Sequence, residues 1–211
     1  RPAEAAKLAL LSNAEDAEHT QPPHFGEHLL RPEQLRSLQW MADQEASEEP
    51  FVCDLVESVA VEDVPGWRVE GRARCPFLVR GGVLADKIGY GKTAVTIGLI
   101  DSGTKRPLAE APPGLIPSRA TLVLAPVNLH AQWVEEIRKF TGRELRVLSI
   151  PTCAQLKGLR VRDLQEADIV VATYRLFYSP RYLERLAALA QDAKESPGFV
   201  FPPPESEAFA G

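Results

Sequence analysis

Lys92 and Thr93 directly follow a short glycine-containing segment, Gly89-Tyr90-Gly91, and this combination of residue types is suited to binding phosphate. Glycines at these positions let the backbone curl so that successive N–H groups point toward phosphate oxygens. A helix that begins at Lys92 adds unpaired N–H donors and a partial positive charge. The Lys92 ammonium can reach the β- and γ-phosphates, and the Thr93 hydroxyl can hold Mg²⁺. The segment therefore predicts a nucleoside triphosphate site.

The match to the general phosphate-loop pattern is incomplete at one position. That pattern has a glycine five residues before Gly91, where this chain has Asp86. The alternative interpretation is an ordinary glycine turn beside a surface lysine. The neighbouring segments favour the phosphate site, because residues 77–84 predict a buried parallel strand and a helix with an apolar side follows the loop. That side consists of Ala94, Val95, Ile97, Leu99 and Ile100.

A second candidate residue, Gln34, lies near the start of a predicted helix. Pro32 suits the first turn of a helix, and Leu35, Leu38 and Met41 form an apolar side at helical spacing. Gln34 is then free to use its amide, which donates and accepts hydrogen bonds at once and so suits the edge of adenine. Taken alone, the segment favours the plainer interpretation of a packing helix with a solvent-facing glutamine.

Three further apolar segments, residues 121–126, 145–150 and 167–174, predict strands that alternate with helices. The alternation predicts an α/β fold with a parallel sheet flanked by helices. Short helices are expected at residues 154–159 and 181–192. The helix after the first of these strands is predicted from Asn128 as its N-cap and from an apolar stripe of Leu129, Trp133, Ile137 and Phe140.

Ligands of parallel sheets bind at the carboxyl ends of the strands. The phosphate loop, residues 126–132 and the pair Thr173-Tyr174 all follow predicted strands. We therefore expect all three to open on one rim of the sheet.

Composition limits the remaining classes of function. The chain has 211 residues, 45% of them hydrophobic, and no apolar run long enough for a membrane span. Its net charge of −5 means that any contact with nucleic acid must be local. The three isolated cysteines predict neither a zinc site nor a disulfide framework, and a metal site at His19, His24 and His28 is not favoured.

The chain divides into three predicted parts, and we expect it to be a piece of a longer protein. Residues 1–29 form a loose polar leader. Residues 30–178 form the main domain, with an acidic, irregular insertion at about residues 46–76 that includes a short hairpin arm. Residues 179–211 form a helix and a proline-rich linker or insertion.

Four blocks in fixed order resemble the Swi/Snf-like ATPases, which are superfamily-two helicase-related motors. The blocks are Leu-Arg-Pro-x-Gln-Leu-x-x-Leu-x-Trp at 30–40, Gly-Gly-Val-Leu-Ala-Asp-x-x-Gly-x-Gly-Lys-Thr at 81–93, Pro-x-x-Leu-x-x-Gln-Trp at 126–133, and Asp-Ile-Val through Thr-Tyr at 168–174. The resemblance implies a P-loop NTPase with a RecA-like sheet, truncated within the first motor lobe. It also accounts for Asp86, which this family shows at that position.

The resemblance implies a role for each candidate residue. Gln34 would read the adenine of ATP, and Lys92 and Thr93 would be the catalytic residues, with Thr93 also binding Mg²⁺. Contacts to the backbone of double-stranded DNA, which are independent of sequence and sensitive to salt, would come from Asn128, Gln132, Thr173 and Tyr174. The full nucleotide set is Gln34, Asp86, Lys87, Gly89, Tyr90, Gly91, Lys92, Thr93 and Ala94.

The implied partners are duplex DNA or chromatin and a second RecA-like lobe, with no membrane, and the implied location is the nucleus. The chain departs from the family at Glu33, where a tyrosine-like residue is common, at Lys87, where glutamate is usual, and at Asn128, where serine is usual. The acidic insertion and the long loop after the phosphate-loop helix are similar in length to those of the branch active in post-replication repair.

Hydrolysis in such motors requires an Asp-Glu pair at the end of a later strand. No Asp-Glu dipeptide follows Lys92 in this sequence, so we expect the chain alone not to turn over ATP at a useful rate. Two alternatives remain. A metabolite kinase would show an arginine-rich lid and a substrate carboxylate, neither of which is evident, and a non-catalytic interaction module with a decayed nucleotide site is harder to exclude.

Overall fold

The computed structural model describes residues 12–62, 64–103 and 116–195, and side chains as far as residue 188. The helices are α1 (Pro32–Ala46), α2 (Lys92–Gly103), α3 (Val127–Thr141), α4 (Cys153–Lys157), α5 (Val161–Glu166) and α6 (Pro180–Glu195). The strands are β1 (Phe51–Ala60), β2 (Arg68–Phe77), β3 (Thr121–Ala125), β4 (Val147–Ile150) and β5 (Ile169–Thr173). A 3₁₀ helix, Tyr174–Tyr178, follows β5. The first eleven residues of the predicted leader and the proline-rich segment 196–211 lie outside the described residues.

A three-stranded parallel sheet in the order β3-β5-β4 organises the domain. All five residues of β5 are buried, and they alternate between the two faces of the sheet. Ile169 and Val171 belong to one apolar cluster, while Val170 and Ala172 belong to another. A strand buried on both faces is typical of a parallel sheet covered by helices. The parallel sheet with its flanking helices confirms the predicted α/β class.

The larger cluster joins the sheet to α1, α2 and α3. Leu38 of α1, Ile97 of α2 and Ile137 of α3 are all fully buried beside Ile169. The predicted helix at Pro32 and the predicted helix after the phosphate loop are thus both present, and they pack against each other. Among the described helices, none combines the length and apolar character that a membrane span requires.

The predicted strand at residues 77–84 was wrong. Phe77 ends β2, residues 78–84 form no strand, and Val83 is 84% exposed. Glycines weaken strands, and here Gly81 has a φ of +132°, outside the range of extended strands. Gly82 lies under the Trp40 ring, where an added Cβ would be 2.7 Å from the ring edge. Residues 78–84 therefore pack beside α1 and do not join the sheet.

The predicted stripe of α3 was only partly right. Pro126 is the N-cap, so Asn128 lies in the first turn and does not cap the helix. Ile137 is buried and Trp133 and Phe140 pack on the core, but Leu129 is 39% exposed. The fully buried side instead starts at His130, because its Nε2–H donates a 3.0 Å hydrogen bond to the Val171 carbonyl of β5. The buried positions are His130, Val134, Ile137 and Thr141.

Residues 22–25 of the predicted leader pack against the domain, although most of the leader that the structure describes is exposed. Phe25 is 2% exposed and stacks on Phe140 with 5.0 Å between ring centroids. His24 donates its backbone N–H to Oδ2 of the fully buried Asp101 at 2.9 Å, and its Nδ1 lies 2.6 Å from Oδ1. The buried Phe25 ring and the His24–Asp101 hydrogen bonds together hold this segment against α2 and α3.

The predicted irregular insertion contains a regular antiparallel hairpin of β1 and β2, in the register Phe51↔Phe77 to Ala60↔Arg68. One face carries the apolar pairs Phe51–Phe77, Cys53–Cys75 and Val59–Val69, and the other carries Arg68, Arg72 and Arg74. The predicted hairpin arm is therefore longer than the sequence indicated.

Candidate functional site

The Lys92 ammonium closes the glycine loop upon itself. Lys92 is the first residue of α2, and its Nζ donates hydrogen bonds of 2.8 Å to the Asp86 carbonyl and 3.1 Å to the Lys87 carbonyl. The Tyr90 N–H donates to the same Lys87 carbonyl at 3.2 Å. These bonds draw residues 86–92 into a ring around one positive charge at the start of a helix, which is the arrangement that an anion site needs.

Positive backbone φ angles at Gly89 and Gly91, +87° and +81°, produce the curl of the loop. Gly91 also lies against Gln34, because an added Cβ there would overlap the Gln34 Nε2. Only glycine satisfies both conditions, the left-handed conformation and the close approach. The sequence prediction of a curled main chain at these two positions agrees with the loop geometry.

Gln34 is held by two hydrogen bonds within the protein. Its Oε1 accepts the Arg31 N–H at 2.9 Å, and its Nε2 donates to the Tyr90 carbonyl at 2.9 Å. The first bond stabilises the start of α1 and the second joins that helix to the phosphate loop. An amide has two donor hydrogens and two acceptor lone pairs, so one of each remains for a ligand. The structure thus gives Gln34 a packing role, and its side chain is buried rather than solvent-facing.

Two further residues of α1 contact the loop and the segment before it, and neither was predicted from the sequence to do so. The Ser37 hydroxyl lies 3.3 Å from Asp86 Oδ2, and the Trp40 ring covers Gly82. The positions 34, 37 and 40 recur at a spacing of three, which places them along one side of α1. That spacing could have indicated a side of α1 that contacts the loop, but the apolar stripe on the same helix was the stronger pattern.

The charge beside the loop includes one carboxylate with a lowered pKa. A hydrogen bond from its own backbone N–H lowers the pKa of Glu33, and Arg31 Nε, 2.7 Å from Glu33 Oε1, lowers the pKa further. Glu33 is exposed and remains ionised at neutral pH. Its ion pair with Arg31 lies at the start of α1.

The residues present fit a triphosphate with its metal ion. The loop supplies a positive ammonium, two left-handed glycines and the free N–H groups of the first turn of α2. Thr93 follows Lys92 in that turn and has a hydroxyl oxygen, the kind of ligand that Mg²⁺ prefers. Ala94 is buried against the core, so it can shape the loop but offers no polar side chain.

The predicted nucleic-acid residues lie at the carboxyl ends of β3 and β5, which are adjacent parallel strands paired at Ala125↔Thr173. Asn128 and Gln132 are exposed on α3, although Gln132 Nε2 donates to Glu136 Oε1 at 3.0 Å, and Tyr174 is 47% exposed. Thr173 differs from the prediction. It is fully buried, and its hydroxyl donates to the Pro151 carbonyl at 2.9 Å, so its side chain does not reach solvent. No hydrogen bond among the described residues joins this group to the phosphate loop.

Comparison with known proteins gives a family match over most of the chain. The model of the SNF2-related domain matches residues 33–194. The chain is 41% identical over 189 residues to the DNA (cytosine-5-)-methyltransferase DMT5 of Cryptococcus neoformans, which covers 88% of this chain and 8% of that protein. It is 32% identical over 172 residues to the DMT5 of Verticillium dahliae, covering 76% of this chain and 7% of that protein.

A protein named for DNA repair is a more distant relative. The chain is 25% identical over 189 residues to the DNA repair protein RAD5B of Arabidopsis thaliana, covering 71% of this chain and 14% of that protein. The chain therefore spans less than a sixth of the length of each of these relatives.

Proposed function

The chain belongs to the family of the SNF2-related domain, and from that membership we propose that it is the ATP-binding part of a motor that translocates on duplex DNA. The membership confirms the resemblance to Swi/Snf-like ATPases and, together with the parallel sheet, the RecA-like class of the lobe. We further propose that the intact protein works in the nucleus on DNA or chromatin, with a second RecA-like lobe.

The geometry of the phosphate loop is the observation that carries this proposal. Lys92 would exchange its bonds with the Asp86 and Lys87 carbonyls for bonds with phosphate oxygens, and a charge-assisted bond of this kind contributes about 1.5–3 kcal/mol. The Thr93 hydroxyl would hold Mg²⁺, which supplies charge neutralisation when bound. Gln34 would keep its bond with the Tyr90 carbonyl and use the second amide hydrogen toward adenine.

Direct contact with DNA is proposed for the carboxyl-end rim of the sheet. Asn128, Gln132 and Tyr174 are exposed there and carry polar groups that bind phosphate oxygens. Thr173 would support this rim through its bond with Pro151 and would not contact DNA through its side chain. These contacts ignore base identity, so the protein would read the backbone and not the sequence.

Titration calorimetry with Mg-ATP on the 211-residue chain tests the nucleotide half of the proposal. We expect Lys92→Ala to weaken binding roughly tenfold or more, since it removes the ammonium at the phosphates. Lys157→Ala, which removes an exposed lysine of α4, is the matched control and is expected to bind like the wild type. Equal binding by all three proteins would contradict the proposal.

The same samples separate the alternatives. A non-catalytic module with a decayed nucleotide site would not bind Mg-ATP, so loss of binding on Lys92→Ala favours the motor. A metabolite kinase would bind Mg-ATP but not duplex DNA. Salt-dependent binding of a duplex by the wild-type chain therefore favours the motor over the kinase.

A further inference from the structure

A cavity of about 640 Å³ lies where β4 and β5 end, next to the first residue of α3. Its walls are mostly apolar and include Val127, Ala154 and Leu176, and its rim includes Arg175, Ser179 and Arg181. It lies directly beyond Thr173 and Tyr174, so it continues the rim at which DNA contact is proposed.

The side chains of Arg175 and Arg181 form no ion pair or hydrogen bond with any residue that the structure describes. In contrast, Arg72, Arg74 and Arg146 each pair with a carboxylate, at 2.8 Å for the first two. No carboxylate is among the described residues that line the cavity. In a chain of net charge −5, two guanidinium groups at one cavity that pair with no described carboxylate form a local positive site that attracts an anion.

Two other features of the cavity suit a phosphate. The Ser179 hydroxyl oxygen accepts the Cys153 thiol at 3.3 Å, which leaves the Ser179 hydrogen available to donate. The long helix α6 starts at Pro180 on the cavity rim, and the start of a helix carries a partial positive charge. The apolar walls suit the carbon face of a sugar, which alternates with phosphates along a nucleic-acid strand.

We propose that Arg175 and Arg181 bind phosphates of one strand of duplex DNA, with the intervening sugar against the Val127 and Leu176 side chains. The inference rests on the proposed function and extends its contact surface from α3 and Tyr174 to α6. Guanidinium groups match phosphate oxygens in planar, paired hydrogen bonds, which explains why arginine rather than lysine would be used. The ligand class is a sugar–phosphate backbone, with no reading of bases.

A second pair of arginines provides a matched control. Arg138 and Arg143 line a smaller cavity with Leu145 and Val147, and neither pairs with a carboxylate in the part of the chain that the structure describes. Val147 is the first residue of β4, whereas Pro151 of the larger cavity follows its last residue. The two arginine pairs therefore lie at opposite ends of β4, and neutralising either pair changes the net charge equally.

The test measures binding of a fluorescent 20-base-pair duplex by the 211-residue chain at several salt concentrations. The variants are Arg175→Gln/Arg181→Gln and Arg138→Gln/Arg143→Gln, with thermal unfolding by circular dichroism as the check of folding. We expect the first variant to bind roughly 10- to 100-fold more weakly, and its slope of log affinity against log salt to fall by about 1.8. The second variant should bind like the wild type.

The binding results for the wild type and the two variants test the arginine inference separately from the proposed function. Equal weakening of both variants would show a general charge effect and overturn the inference, as would wild-type affinity and slope in the first variant. In both cases duplex binding by the wild type would leave the proposed function standing. No binding by a wild-type chain that still binds Mg-ATP would overturn the DNA half of the proposed function, and the inference with it.

Discussion

At the residue scale, comparing substitutions of Gly89 and Gly91 distinguishes the cost of backbone strain from the cost of side-chain overlap. Gly89 and Gly91 have nearly the same φ, +87° and +81°, but only Gly91 approaches another side chain, that of Gln34. We expect Gly89→Ala to cost about 1–3 kcal/mol of stability through strain alone. Gly91→Ala should cost more, and it should weaken Mg-ATP binding further because it displaces the Gln34 amide. Chemical denaturation and calorimetry on both variants measure the difference.

Removing the Gln34 side chain provides the control for that overlap. In the double variant Gln34→Ala/Gly91→Ala the added methyl group has space, so its extra stability cost should fall toward that of Gly89→Ala. Costs that simply add in the double variant would show that Gly91 and Gln34 do not interact, contrary to the geometry.

At the scale of elements, the sequence predicted whatever depends on one segment's own pattern. Strand β5 was predictable because its apolar run leaves no polar side, and α1 because Pro32 and a leucine stripe define it. The loss of the strand at residues 77–84 and the burial of His130 depend on partners distant in the chain, Trp40 and Val171. Local pattern carries no information on such distant partners.

The packing of the leader gives a prediction at this scale. Phe25→Ala removes a ring that is 2% exposed, and we expect it to reduce the free energy of unfolding by about 3–5 kcal/mol. Phe51→Ala makes the same substitution on the hairpin, where the ring is 64% exposed, and should cost less than about 1 kcal/mol. Urea denaturation measures both. Equal costs would mean that the leader is as loose as its composition suggested.

A pH-dependent contact joins α5 to the start of β4. Hydrogen bonds from Arg146 and Arg162 lower the pKa of Glu166. A carboxylate with a lowered pKa in the folded state stabilises the fold above its unfolded pKa, near 4.5, and this contribution disappears as the pH falls through the folded value. Glu166→Gln should therefore lower the Tm at pH 7, and this deficit should shrink as the pH falls from 4.5 toward 3.

The matched control for Glu166→Gln is Glu135→Gln, which likewise replaces the carboxylate of an exposed glutamate, here on α3, with an amide. It should show no such pH-dependent difference in Tm from the wild type. A deficit of Glu166→Gln that persists undiminished at pH 3 would show that packing, not charge, is responsible.

At the scale of the whole molecule, a net charge of −5 has to be reconciled with the proposed DNA partner, which is also negatively charged. Several described arginines pair with a nearby carboxylate, as on the hairpin and α5, and so contribute little to the external field. Arg175 and Arg181, which pair with no described carboxylate, then attract an anion locally, while the net negative charge of the chain weakly repels it. Binding to duplex DNA should accordingly be steep in salt and favoured by low ionic strength.

Binding and turnover are expected to separate in this chain. The carboxylate of the phosphate loop itself, Asp86, accepts a hydrogen bond from Ser37, and no Asp-Glu pair follows Lys92 to complete Mg²⁺ coordination and polarise water. Mg-ATP at about 100 times its Kd should still stabilise the fold by about 2.7 kcal/mol, because binding alone shifts the unfolding equilibrium. A thermal-shift measurement should thus respond to Mg-ATP, while a phosphate-release assay stays at background with or without duplex DNA. Duplex-stimulated release that disappears in Lys92→Ala would show that this chain contains a complete catalytic site, and a carboxylate outside the Asp-Glu pattern would then have to supply the missing function.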